Sequence, residues 1–289
     1  MKRVVSIYLI ICLCLAVSCL GEVKPLYEGD LICQSCVLMD AYTGEILYAK
    51  SPDARRYPAS TTKIMTLLVS IEHCDGRTMV TVPSCASEIT QDSTRVPVYP
   101  GERMPLIDLW YGLIYNSGND AANAIAYLTS GSINAFVAEM NKKAQELGMT
   151  NTHFANAHGL HNAQHYTTAR DLATLTYYAL NIDLFREITF STGYTMQATS
   201  LRDPLSLDHH YGITDYASPY YYPYALGIKT GWHTKAGQCY VGAADKGEHE
   251  LIVVVLNAGG NKPDKWKDAK KLFEYGFAVL EERDKNSES

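Results

Sequence analysis

The chain has 289 residues, 47% of them hydrophobic and 19% charged, and carries a net charge of −6. That apolar content excludes a disordered chain, and the acidic balance lacks the basic footprint of a nucleic-acid binder. No internal period of about 20–50 residues repeats, which excludes solenoids and repeat arrays.

Residues 1–20 read as a secretory signal peptide. Lys2 and Arg3 give a positive start, and Val4 to Val17 is an uncharged, mostly apolar run, short for a membrane span. Two alternatives stay open: lipidation after cleavage before Cys19, and retention as an N-terminal anchor. In each case the chain is expected outside the cytoplasm, with any membrane contact made through its N-terminus. Residues 21–289 are expected to form one folded unit. Export leaves Cys33, Cys36, Cys74, Cys85 and Cys239, an odd number, so at least one thiol is unpaired. Strand residues follow Cys33-x-x-Cys36 where a redox motif would open a helix; the pair reads as small buried hydrophobes or a local disulfide. No second C-x-x-C or H-x-H pair completes a zinc set, so neither metal nor cofactor is expected.

Further along the chain, Cys36 to Lys50 has the pattern of a hairpin turning through Asp40 to Gly44. A helix apolar nearly all round follows Ser60, through Ile64, Met65, Leu67, Leu68, Val69 and Ile71. Ser132 caps a helix with Ile133, Phe136, Val137, Met140, Ala144 and Leu147 on one face, stopped by Gly148. Thr168 to Asp171 resembles a capping box for a helix through Leu180. Gly227 to Gly259 holds a second hairpin with a Lys246-Gly247 turn and a fully buried last strand, Leu251 to Leu256. From Trp266 a last helix buries Ala269, Leu272, Phe273 and Leu280. Strands at both ends and helices between them predict an α+β fold: an antiparallel sheet built from both chain ends, flanked by helices, with an inserted helical subdomain.

Three short motifs carry chemistry. Pro58-Ala-Ser60-Thr-Thr-Lys63 places a serine and a lysine one helical turn apart. A serine hydroxyl is a weak nucleophile until a base takes its proton, and burial near a helix N-terminus pushes a lysine toward usable basicity. Asn116-Ser117-Gly-Asn119-Asp120 puts a hydroxyl and an amide in a short loop between helical segments. Gly227-Ile-Lys229-Thr230-Gly231 puts a lysine on a strand, with a glycine permitting close backbone approach. Each motif alone has an ordinary structural reading: a helix-capping serine with a solvated lysine, a loop, and an exposed strand lysine. Ser132-Ile-Asn134, a second S-x-N, shows how cheap that pattern is.

Together, S-x-x-K, S-x-N and K-T-G in this order form the signature of penicillin-binding proteins and class A β-lactamases. The chain resembles the D-alanyl-D-alanine carboxypeptidases, low-molecular-weight penicillin-binding proteins of β-lactamase/transpeptidase-like fold. The likeness runs from about residue 30 to 280. It includes Thr43 to Tyr48, Pro58 to Thr66, Ser117 to Ala122, Phe136 to Asn141, Phe154 to Leu160 and Gly227 to Gly237.

The resemblance implies the following roles. Ser60 attacks the carbonyl of the penultimate D-alanine of a peptidoglycan stem peptide, Lys63 is the general base, and Ser117 relays a proton to the leaving D-alanine. Asn119 holds the peptide backbone. Lys229 and Thr230 bind the terminal carboxylate beside Gly231, and the backbone N–H groups of Ser60 and Trp232 form the oxyanion hole. β-Lactams would be covalent inhibitors.

Two departures from the family pattern stand out. Tyr216 to Tyr224 replaces an asparagine-rich segment that often carries a carboxylate-binding basic residue. Arg202, His209 and His210 lie upstream, and none can be assigned that role from sequence. The tyrosines read first as packing, with a groove wall as the alternative. The β-rich C-terminal domain and amphipathic anchor of many relatives find no counterpart before Ser289.

Other readings are weaker. A class A β-lactamase deacylates with a glutamate-activated water, but Leu147 to Arg186 contains no Glu and no E-x-x-L-N occurs. A non-catalytic penicillin- or wall-binding module would not need every motif position intact. His153, His158, His161 and His165 lack metallopeptidase spacing and read as loop and supporting residues.

Overall fold

The computed structural model describes residues 23–90, 93–208 and 211–287, so the expected signal peptide lies outside the described residues, as do His209 and His210. In chain order the elements are β1 (Ser35–Asp40), β2 (Ile46–Lys50), α1 (Lys63–His73), β3 (Met79–Thr81), β4 (Arg103–Pro105), α2 (Leu106–Tyr115), α3 (Asn119–Ser130), α4 (Ile133–Glu146), α5 (Ala169–Ala179), α6 (Asp183–Phe190), β5 (Gly193–Met196), β6 (Leu205–Asp208), β7 (Ala225–His233), β8 (Gly237–Asp245), β9 (Glu250–Leu256) and α7 (Asp264–Ser287).

The main sheet has the order β2-β1-β9-β8-β7, antiparallel throughout. Strands from the two chain ends meet where β1 pairs with β9, with Val37 opposite Val254. Both faces of the central strands are apolar, so alternate residues serve two cores. Val37, Met39, Ile252, Val254 and Leu256 face a core shared with α1 and the inserted helices. Cys36, Leu38, Leu251, Val253 and Val255 face a second core under α7.

The expected α+β arrangement is therefore present, and both hairpins form. The first turns where the Asp40 carboxylate accepts the N–H groups of Tyr42 and Thr43 at 2.7 and 3.0 Å. The second extends to a third strand, β7, which begins at Ala225 and forms one edge of the sheet. The short pairs β3–β4 and β5–β6 carry no clear periodic signal, being too short to show one.

The capped helices follow their sequence signals. Ser132 accepts the Ala135 N–H at 3.1 Å, and Thr168 accepts the Asp171 N–H at 3.0 Å. α1 crosses the interior, with eight consecutive buried residues from Lys63 to Ser70. One expectation needs correction. Ser60 does not start the α-helix but lies in a 3₁₀ turn, Ala59–Thr62, and α1 begins at Lys63. The hydroxyls of Thr61 and Thr62 donate to the carbonyls of Pro58 and Ala59, three residues back, and stabilise this tighter turn.

All five described cysteines are free, and Cys33 and Cys36 are fully buried at the start of β1. Of the two readings left open for that pair, the structure has buried thiols. They lie beside a polar tie between the chain ends: Asp268 of α7, fully buried, accepts the N–H groups of Ile32 and Cys33 at 3.0 and 2.7 Å. Asp268→Ala leaves both donors without that acceptor at a buried site, so we expect a loss of about 2–4 kcal/mol in urea unfolding, with Asp268→Asn losing less.

Candidate active site

The 3₁₀ turn determines what the first motif can do. Side chains at i and i+3 eclipse in this geometry, so Lys63 stacks over Ser60. Lys63 Nζ lies 3.1 Å from Ser60 Oγ and 2.7 Å from both Asn119 Oδ1 and the His158 carbonyl. Lys63 is fully buried. Burial, then the nearby Lys229 charge, hold its pKa well below the ordinary lysine value, against a weaker opposing pull from Asp120.

These partners are all neutral. A neutral amine has two N–H donors and one lone pair. Once deprotonated, Lys63 would keep its two N–H groups on the Asn119 and His158 oxygens at the shorter distances and turn its lone pair to the Ser60 hydroxyl.

The turn is braced from a second loop. His165 Nδ1 accepts the Ala155 N–H at 3.0 Å, so Nε2 carries the proton and donates to Thr62 Oγ1 at 2.7 Å. Burial, with the nearby charges, pushes the pKa of His165 and of His158 down to about 3, which keeps both rings neutral. Asn156 Oδ1 accepts the N–H groups of His158 and Gly159, shaping the loop that presents the His158 carbonyl. Gly159 has φ +89° and packs so tightly that a Cβ there would lie 1.9 Å from the Ala59 carbonyl oxygen. The histidines thus support the site as expected, and one supplies a backbone oxygen that its side chain could not have signalled.

The second motif closes the cleft from α3. Asn119 is the first residue of α3, and its N–H donates to the Thr94 carbonyl at 2.9 Å. The Asp120 carboxylate is tied to the N–H groups of Val96, Val98 and Ala121. Ser117 adopts φ +55°, and its buried Oγ has no hydrogen-bond partner among the described residues although Ser117 lines the cleft. A buried hydroxyl without a partner is costly unless a ligand or reacting group uses it.

The third motif lies on β7, the sheet edge. Gly231 sits against the Ser60 turn: a Cβ there would lie 2.9 Å from the Ser60 nitrogen and 3.0 Å from the Pro58 carbonyl oxygen. Any side chain would push β7 away from Ser60. Lys229 is 1% exposed, donates to the Thr230 carbonyl, and has its pKa lowered to about 7 by burial and by Lys265. Trp232 is 59% exposed at the rim.

Ser60, Ser117, Asn119, Thr230, Gly231 and Trp232 line one cleft of about 710 Å³, with Lys63 and Lys229 buried beside it. The structure thus brings all the sequence-selected site residues together. It adds Lys262, Lys265 and Gln238 to the same wall. Lys265 is 4% exposed, donates to Gln238 Oε1, and has its pKa lowered to about 8 by burial and then by Lys262. These lysines stand in a loop and the first turn of α7, and no spacing to K-T-G pointed to them.

Arg202 is not a cleft residue: it pairs at 3.0 Å with fully buried Glu102. The tyrosine segment packs, with Tyr222 stacked on Phe273 and Tyr224 edge-on to Phe277 of α7, and forms no part of the cleft wall.

Comparisons with known proteins agree with this architecture. A family model described as D-alanyl-D-alanine carboxypeptidase matches residues 22–260. The D-alanyl-D-alanine carboxypeptidase DacF of Bacillus subtilis is 34% identical over 86% of this chain, which spans 63% of that relative's length. A D-alanyl-D-alanine carboxypeptidase of Streptomyces sp. K15 is 32% identical over 83% of this chain and 86% of its own. The crystal structure of the Streptomyces K15 DD-transpeptidase superposes with a TM-score of 0.80 at 30% identity, covering 89% of this chain and all of that one. The D-alanyl-D-alanine carboxypeptidase structure from Mycobacterium tuberculosis H37Rv gives 0.80 at 28% identity, covering 89% and 95%. With three motifs converging on one cleft and this breadth of similarity, the chain belongs to the D-alanyl-D-alanine carboxypeptidase family.

Proposed function

We propose that the chain is a serine D-Ala-D-Ala carboxypeptidase that shortens peptidoglycan stem peptides through an acyl-enzyme on Ser60. The observation that carries this reading is the neutral cradle around Lys63, which directs its lone pair at the Ser60 hydroxyl. As Ser60 Oγ attacks the penultimate D-alanine carbonyl, its proton passes to Lys63 Nζ. The backbone N–H groups of Ser60 and Trp232 receive the developing oxyanion. On collapse the C–N bond breaks, and Ser117, whose hydroxyl has no partner among the described residues, relays the proton from Lys63 Nζ to the departing D-alanine amine, which returns Lys63 to its neutral form. Water then attacks the ester with Lys63 again as base, and that proton passes to Ser60 Oγ as the acyl C–O bond breaks.

Asn119 orients the peptide, and Lys229 with Thr230 binds the terminal carboxylate beside Gly231. Lys262 and Lys265 extend that cationic wall, supplying the basic groups that the tyrosine segment lacks. The N-terminal sequence and the substrate place the enzyme outside the cytoplasmic membrane, where trimming stem peptides contributes to wall biogenesis and cell shape. β-Lactams, which present a reactive acyl group beside a carboxylate, acylate the same serine.

Incubation of the purified chain with a pentapeptide ending in D-Ala-D-Ala is expected to release one D-alanine. Ser60→Ala should reduce the rate at least ~10⁴-fold. Penicillin should give a mass adduct on Ser60 that persists for minutes or longer; turnover of many penicillins per second would overturn the carboxypeptidase assignment in favour of a β-lactamase.

The pH profile of kcat/KM follows from two opposed requirements. Lys63 must be neutral, so the rate rises as it loses its proton. Lys229 and Lys265 must be charged to hold a carboxylate, and their lowered values of about 7 and about 8 make the rate fall over that range in the free enzyme. The expected bell turns down well below the ordinary lysine range, whereas a neutral ester substrate lacking the terminal carboxylate keeps rising there.

A further inference from the structure

Beside the cleft lies a cavity of about 400 Å³ that none of the three motifs uses, walled in part by Arg55, Arg56, Tyr57, Tyr166, Lys235 and Asn257. It begins where the cleft ends. Along the same chain segment, Gly231, Trp232 and His233 line the cleft, and two residues later Lys235 and Ala236 line the cavity. On the other wall Ser60 lines the cleft, and Arg55 to Tyr57, just upstream, line the cavity. The Tyr57 ring forms a low ridge between them, edge-on to His161 at 4.7 Å and 6.1 Å from His233.

Its charge is one-sided. Arg55, Arg56 and Lys235 have no carboxylate within ion-pair distance among the described residues, and no acidic side chain lines the cavity. Nearby Asp53 is already engaged by Arg170, at 2.7 and 3.0 Å. The Arg55 guanidinium lies 4.4 Å from the centre of the Tyr166 ring, an arrangement that occupies its face and leaves its N–H edge for a planar anion. Arg56 is oriented by its Nε–H bond to Ser35 Oγ at 3.0 Å. In a protein of net charge −6, three cations without acidic partners around one cavity mark an anion site.

The proposed reaction says which anion reaches it. With the terminal carboxylate at Lys229 and Thr230 and the scissile carbonyl at the Trp232 N–H, the donor peptide runs antiparallel to β7. Its N-terminal part then passes His233 toward Lys235. β7 ends at His233 and turns back through residues 234–236, so Lys235 and the cavity stand at the end of that path, within about two to three extended residues of the scissile bond.

We propose that the Arg55, Arg56 and Lys235 cavity binds a second carboxylate of the acyl-donor peptide, about two to three residues N-terminal to the scissile bond, and thereby selects anionic donors. This rests on the carboxypeptidase reading and adds a specificity site to it.

The test compares two peptides of equal length ending in D-Ala-D-Ala, one with a free side-chain carboxylate at that position and one with the matching amide. The wild type should favour the carboxylate peptide by about tenfold in kcat/KM, the size of one charge-assisted contact. In the Arg55→Gln/Lys235→Gln double variant the preference should fall to about twofold or less, while turnover of the amide peptide and the rate of penicillin adduct formation stay within about twofold. A variant that merely misfolded would lose all three rates together, so Lys235→Gln alone, at an exposed turn, is run beside it and should lose part of the preference. The inference is overturned if the wild type does not discriminate between the peptides, or if the variants retain the full preference. Absence of both D-alanine release and a penicillin adduct in the wild type would remove the carboxypeptidase reading, and this inference with it.

Discussion

The cleft depends on keeping lysines out of water without giving them an acid. Lys63, Lys229 and Lys265 are each at most 4% exposed, and their hydrogen-bond partners are a hydroxyl, carbonyls and side-chain amides. A carboxylate in contact would have stabilised the ammonium form and raised each pKa; neutral oxygens satisfy N–H groups without doing so. Elsewhere the protein pairs its cations with buried carboxylates, as in Arg202 with Glu102 and the part-exposed Arg186 with Glu250. Asp120, the acidic residue acting on Lys63, is itself held by three backbone N–H groups, two of them in the segment that precedes β4.

That arrangement fixes much of the surrounding structure. For Lys63 to reach a carbonyl at His158, the loop carrying it must fold back onto the Ser60 turn, and the close fit of Gly159 against Ala59 is the consequence. For Lys63 to be dry, α1 must run through the interior between the inserted helices and the sheet, which is why its apolar residues cover every side. The stability of the core and the basicity of Lys63 therefore have a common cause: the burial that packs α1 is also the desolvation that lowers the lysine's pKa. A more open interior would give a more ordinary lysine.

How far the sequence alone shows this depends on range. Ser60 and Lys63, the capped helices at Ser132 and Thr168, and the unbroken apolar run of β9 rest on contacts or composition within a few residues, so local spacing exposes them. The three motifs could be gathered into one cleft only because their order resembled a known family, since nothing local tells Ser117 that it faces Ser60. The His158 carbonyl was invisible because a backbone oxygen carries no residue identity. Lys262 and Lys265 were missed because α7 lies across the sheet from the helices, and the connection from β9 to α7 brings them back beside Gln238. The 3₁₀ turn escaped for a different reason: Ser-Thr-Thr suits a helix start of either pitch, and tertiary packing chooses.

The role of β7 follows from its place at the sheet edge. An edge strand has backbone groups that no neighbour uses, which protein folds usually cover but a peptide-processing site can exploit. Side chains alternate along it, so Lys229 and Gly231 share one face and Thr230 and Trp232 the other. The pairing of Lys229 with Val241 and Gly231 with Cys239 locks this phase, and the irregularity between Leu226 and Ile228 sets it just before the motif begins. A slip of one residue would turn Thr230 or Trp232 into the space that only glycine leaves beside Ser60, and would carry Lys229 out of the buried pair. The register thus measures distance along the cleft, placing Lys229, the contact of Gly231 with Ser60 and the turn after His233 at fixed intervals along one strand. A peptide lying along that edge would be read by position before any of its side chains is recognised.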